Sequence, residues 1–169
     1  MREEVKQLHE SLNNYKSIHV ETTLAGSGKA QLNLIDEANK KGFEVTLLYV
    51  TVNSAELAIN RVNERVTHGG HGILPETIKK RYGQSYNNLP SVAFKSDNVF
   101  IYDNSKTFVN VYTRKHNQVE INDLKKYPWI NQEITFSKKV QSQLDSFVES
   151  NPSITENLDK TIKKDNPKV

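Results

Sequence analysis

The chain has 169 residues, 36% of them hydrophobic, with a net charge of +3 and a mean hydropathy of −0.67. That length supports one domain with its own core, and the sequence holds neither an 18-residue apolar run nor a charged-then-apolar leader, which argues against a membrane span or signal peptide. Zero cysteines exclude disulfides and thiolate metal sites and suit the cytoplasm; lysines that cluster only over 160–168 lack the dense basic face of a nucleic-acid binder.

Val5, Leu8 and Leu12 recur at helical spacing and predict an amphipathic helix over about 2–14. Residues 17–24 form a short β-leaning run. Ser27 is a natural cap for a helix with Ala30, Leu34 and Ala38 on one stripe, and Gly42 stops it. Residues 43–52 are nearly continuously apolar and predict a strand buried on both faces. Asn53 or Ser54 then caps a helix that turns Ala55, Ala58, Ile59, Val62 and Val66 inward. Gly69-Gly70 ends it, and Pro75 opens the next helix, which buries Ile78, Tyr82, Ser85 and Leu89. A strand over 98–102 breaks at Asp103-Asn104-Ser105. An antiparallel hairpin follows, 107–112 with 118–121, turning at Lys115-His116-Asn117. Trp129 falls in a loop, two polar helices come after it, and the last ~10 residues fray. The order is that of an α/β protein, with a core over 1–105, a hairpin and helix extension over 106–150, and a polar tail over 151–169.

The turn Ala25-Gly26-Ser27-Gly28-Lys29 invites a phosphate-loop reading, since a glycine-rich turn opening a helix can bind phosphate on free N–H groups. The full pattern needs glycine where Thr23 stands and Ser or Thr where Ala30 stands. A tight turn with a helix cap is therefore the expectation. Only five arginines occur, and Arg61, Arg65 and Arg81 fall within one short stretch. Arg61 and Arg65 share a helix face at i, i+4, and Arg81 lies on the next helix. Such guanidiniums either clamp phosphate oxygens or are solvated helix-face charges paired with Glu56 or Glu64. His68 and His71 are too sparse for a metal site, so no metal ligand is expected.

Taken in order, Glu21-Thr22-Thr23-Leu24, Gly42-Phe43-Glu44-Val45, Tyr49-Val50, Arg61-Val62, Arg65-Val66, Gly69-Gly70-His71, Arg81-Tyr82, Asn88-Leu89 and Tyr102-Asp103-Asn104-Ser105 resemble the zeta-toxin-like P-loop kinases over residues 2–105. The resemblance implies a three-layer P-loop NTPase-like parallel sheet and ATP- and Mg2+-dependent phosphorylation of a sugar nucleotide such as UDP-N-acetylglucosamine. Glu21, Thr22 and Thr23 would bind the acceptor. Arg65 and Arg81 would be catalytic, clamping the ATP phosphates together with Arg61, while Gly70 and His71 shape the lid that carries them. The family's first βαβ segment, with its phosphate loop and catalytic aspartate, precedes the Glu21 run. Its absence implies an N-terminally truncated member, inactive alone, with exposed strand edges. The alternative is a non-catalytic module that keeps the acceptor pocket or pairs with an intact kinase, an antitoxin or the missing segment.

Overall fold

The sheet grows outward from one parallel pair. In a computed structural model describing residues 2–135, β1 (Thr46–Thr51) lies parallel to β2 (Asn98–Asp103), Leu47 opposite Val99 and Tyr49 opposite Ile101. β3 (Val109–Lys115) and β4 (Gln118–Asn122) add antiparallel, giving the order β1-β2-β3-β4. The α/β class holds, but among the described residues only the β1–β2 pair carries the expected parallel arrangement. The hairpin turns at His116-Asn117, with His116 at φ 51°, and its first strand starts and ends later than the 107–112 read from sequence.

Helices α1 (Arg2–Asn13), α2 (Lys29–Lys40), α3 (Ala55–Thr67) and α4 (Pro75–Lys95) complete the described elements with two 3-10 turns, Leu124–Lys126 and Gln132–Thr135. Alternation along β1 sends Leu47 and Tyr49 into a core with Val99, Ile101, Leu89, Val92 and Ala93. Leu32 and Ile35 bring α2 onto the same core. Of the stripe expected on α2, Ala38 is buried and Leu34 half-buried, and Ala30 alone is corrected. Ala30 is exposed, and the larger Leu32 and Ile35 face inward because they remove more apolar area from water. The cap position shifts by one residue: Gly28, at φ 71°, precedes the first helical residue and has no side chain to offer, while Ser27 Oγ accepts from Lys29 N at 3.5 Å. On α3 the expected cap is found, Ser54 Oγ accepting from Leu57 N at 3.1 Å.

β1 is not buried on both faces. Leu48 is 63% and Val50 45% exposed, so no third layer covers them among the described residues. Nor do residues 17–24 form a strand. Their backbone makes no ladder with β1; instead Leu24, at φ 56°, turns its side chain into the core. α1 is held by the buried Leu12, by His9 Nδ1 on Glu37 Oε2, and by Lys41 Nζ donating to Asn13 Oδ1.

Two local problems in α4 are solved from elsewhere. Pro90 sits inside the helix and cannot donate to Tyr86 O; Asn131 Nδ2 donates there at 3.2 Å. At the helix end the buried Arg114 donates to Ala93 O at 2.6 Å and Ser96 O at 3.1 Å, placing a cation against the negative end of the helix dipole. The helices and tail expected after residue 135 lie outside the described residues. Among those described, no helix is long and apolar enough to cross a membrane.

Candidate functional site

Parallel strands in an α/β sheet offer ligands the loops at their carboxyl ends, and here those loops are tied into one network. Asp103, the last residue of β2, is buried. Its Oδ1 accepts from Ser105 Oγ at 2.6 Å and Trp129 Nε1 at 2.9 Å, and its Oδ2 from Ser105 N at 3.1 Å. Ser105 Oγ accepts from Asn53 N at 2.8 Å, and Asn104 N donates to Thr51 O at 2.8 Å. The chain leaving β1 and the chain leaving β2 are thereby joined.

Two helices border this junction. From α3, Arg61 Nη2 donates to Asn104 O and Ser105 O. From α4, the Tyr82 hydroxyl donates to Val52 O at 2.8 Å, and Ser85 Oγ shares a hydrogen bond of 3.0 Å with the Tyr49 hydroxyl. Burial raises the pKa of Tyr49, against a smaller lowering by the bond to Ser85. Burial also raises Tyr82, helped by the electrostatics of Tyr49 and Asp103. Both phenols are neutral at physiological pH and act as hydrogen-bonding groups rather than bases.

Arg65 Nη2 donates to His71 O at 3.0 Å, and its side chain crosses Gly70. A Cβ at position 70 would stand 2.7 Å from Arg65 Cγ and 2.9 Å from Arg65 O, so only glycine fits beneath the arginine. Arg65 therefore clasps the turn joining α3 to α4. Arg81 is exposed, as are Glu21 and Thr23, and these three have no side-chain partner among the described residues. Thr22 Oγ1 accepts from Leu24 N at 3.2 Å and Gln31 Nε2 at 3.3 Å. α4 links the two groups of candidates. Gln84 Oε1 accepts from Gly26 N at 3.0 Å, and Asn88 Nδ2 donates to Leu24 O at 2.9 Å and Gly26 O at 3.2 Å. Gln84 and Asn88 follow Arg81 along one face of the helix.

The turn over 25–29 does not fit a triphosphate. The amide of Gly26 is already engaged by Gln84, and a Cβ on Gly28 would come within 2.9 Å of Asn88 Cγ, so side chains fill the concavity that phosphate oxygens would need. Asp103 spends its oxygens on Ser105 and Trp129, and no group of three or more His, Asp or Glu able to hold a metal occurs among the described residues.

Residues 4–117 match the family described as Zeta toxin. The chain belongs to the Zeta toxin family. It is also 31% identical over 81 residues to a protein of Haemophilus influenzae described as uncharacterized, an overlap covering 48% of this chain and 56% of that protein. The chain thus spans about half the length of this curated relative. No solved structure matches it. The Zeta toxin match takes in β1, α3, α4 and β2, hence the whole strand-end network except Trp129. Trp129 and Asn131 lie past its limit at residue 117, and nothing in the sequence around them signals that they reach the site. Tyr49, Ser85 and Asn88 stand within the sequence resemblance, but their pairing across elements leaves no trace in spacing.

Proposed function

We propose that these residues form the acceptor-binding and arginine-bearing side of an ATP-dependent phosphotransferase acting on a sugar nucleotide such as UDP-N-acetylglucosamine. The family match carries the kinase-like part of this reading. Glu21, Thr22 and Thr23 bind the acceptor in it, since Glu21 and Thr23 are exposed and uncommitted beside a loop held firmly on α4. Arg65 and Arg81 are the catalytic pair that steadies phosphate charge with Arg61 behind them, because planar guanidiniums suit phosphoryl oxygens. In this reading the phosphate cradle, the magnesium-binding hydroxyl and the base belong to a nucleotide-binding segment outside the described residues, for the turn over 25–29 is filled by Gln84 and Asn88. The chain is then inactive alone and active once that segment is supplied.

Calorimetric titration of the chain with UDP-N-acetylglucosamine tests the reading. Saturable binding is expected, weakened roughly 10- to 100-fold by Glu21→Gln, the range for a hydrogen bond to a charged group. Absence of any binding at millimolar ligand, or equal binding by both proteins, sinks it.

A second reading draws on β1. Among the described residues the strand is paired on one side only, and its exposed Leu48 and Val50 carry no charge to discourage pairing. A non-catalytic partner of an intact kinase, an antitoxin or the nucleotide-binding segment would use that edge. Sedimentation of the chain mixed with a complete family kinase separates the readings: a stable complex without sugar-nucleotide affinity favours the second.

A further inference from the structure

The geometry points to Trp129 as a positioning residue, one that fixes the Asp103 carboxylate and through it the start of the arginine-bearing helix α3. Asp103 is 5% exposed, and a carboxylate so placed must have its oxygens hydrogen-bonded. Two of its donors come from Ser105, two residues along the same turn, and move with that turn. The indole N–H of Trp129, at 2.9 Å, is the donor that comes from a distant part of the chain. It is what holds the turn to the rest of the protein from that side.

Trp129 is itself well anchored. Tyr127 meets its ring edge-on, with centroids 5.4 Å apart at 79°. Ile130 beside it is 1% exposed, and Asn131 is bonded to the carbonyl that Pro90 leaves free in α4. From α4 the path therefore runs through residues 127–131 to Asp103, on to Ser105 and Asn53 N, and so to the residue before the Ser54 cap of α3. Arg61 closes the loop by returning from α3 to Asn104 O. Both ends of the α3–α4 hairpin are tied to one frame, which fixes where Arg65 and Arg81 sit. A segment beyond the family match supplies a part of the site.

What those arginines bind rests on the phosphotransferase reading; the positioning itself is measured without ligand. Amide hydrogen exchange on the full chain compares the wild type with Trp129→Phe, which keeps an aromatic ring and loses the donor, and with Asp103→Asn, which keeps an acceptor. Trp129→Phe is expected to speed exchange at Asn53, Asn104 and Ser105 roughly 10- to 100-fold, leaving Val111 and Tyr112 in β3 unchanged. Asp103→Asn, which sets an NH2 where one acceptor oxygen stood, should raise exchange at the same three amides at least as much, Ser105 most, because its N–H loses an acceptor. Uniform acceleration across the sheet, or no change at Asn53 and Ser105, overturns the inference. If inorganic pyrophosphate binds the wild type in calorimetry, Trp129→Phe should weaken it about tenfold, an effect that packing alone would not produce. Equal affinity for the two proteins also overturns the inference. A wild type blind to pyrophosphate counts against the arginine clamp instead, and the exchange data still decide the role of Trp129.

Discussion

Replacing Gly28 by alanine tests whether the 25–29 turn is packing or a ligand cradle. Gly28 has φ 71°, a region in which an alanine costs about 1–2 kcal/mol. Its Cβ would also press on Asn88 Cγ and Oδ1 at 2.9 Å. Moving Asn88 breaks its bonds to Leu24 O and Gly26 O, worth about 1–3 kcal/mol for the two. The expected loss is about 2–5 kcal/mol in urea unfolding, or roughly 5–15 °C in melting temperature for a chain of this size. Gly26→Ala is the control: its φ is 80°, but nothing lies within 4 Å of the added methyl, so only the backbone cost of about 1–2 kcal/mol applies. In an Asn88→Ala background, Gly28→Ala should fall to that same cost, leaving a coupling of about 1–3 kcal/mol. Equal costs for the two glycine variants, or no coupling with Asn88, would falsify the packing account.

Asn131→Ala should cost about 1–3 kcal/mol, because Tyr86 O loses its donor, and most of that should return with Pro90→Ala, which restores the helical amide; urea titrations of the three proteins check it. Arg114→Met should cost about 3 kcal/mol in the same assay by stranding Ala93 O and Ser96 O, and Arg114→Lys should not restore it, since one ammonium cannot reproduce the fork. Leu48→Lys should change stability by less than about 0.5 kcal/mol, as befits a side chain 63% exposed; a loss above about 2 kcal/mol would mean that this face is covered. Burial raises the folded-state pKa of Tyr49 and Tyr112. Their contribution is complete below the unfolded value near 10 and is lost as pH climbs toward the folded value, at up to about 1.4 kcal/mol per pH unit for each. Urea midpoints should stay flat up to about pH 9 and drop above about pH 10, with phenolate absorbance lagging behind that of the unfolded chain.

Elements set by local chemistry were legible in the sequence. Ser54 announces α3, Pro75 announces α4, and the 3.6-residue spacing of Val5, Leu8 and Leu12 marks α1. Features decided by what lies alongside were not. Residues 17–24 have strand composition, yet a strand needs a neighbour, and the described sheet gives β1 a partner on one side only. The hydrophobicity of Leu48 and Val50 signals burial that the described residues do not provide. Within the site, Arg61, Arg65 and Arg81 are conspicuous by type. Two of the three turn out to grip backbone carbonyls, Arg61 at Asn104 and Arg65 at His71, and only partner geometry reveals that. Trp129 is invisible to any motif because its link to Asp103 spans 26 residues.

Pro90 gives α4 a history as well as a shape. A helix of ordinary residues can close its hydrogen bonds as soon as its own residues exist. α4 cannot, because the carbonyl of Tyr86 waits for Asn131, which leaves the ribosome seconds later at ordinary elongation rates. Until then the helix has an unfilled position facing the core, and Asp103 lacks its indole donor. Completion of the helix and of the strand-end junction are therefore one late event. A chain that ends shortly before residue 127 and has been released should hold β1, β2 and β3 yet keep a loosened α4, open to proteases and chaperones at the very surface that the finished protein seals.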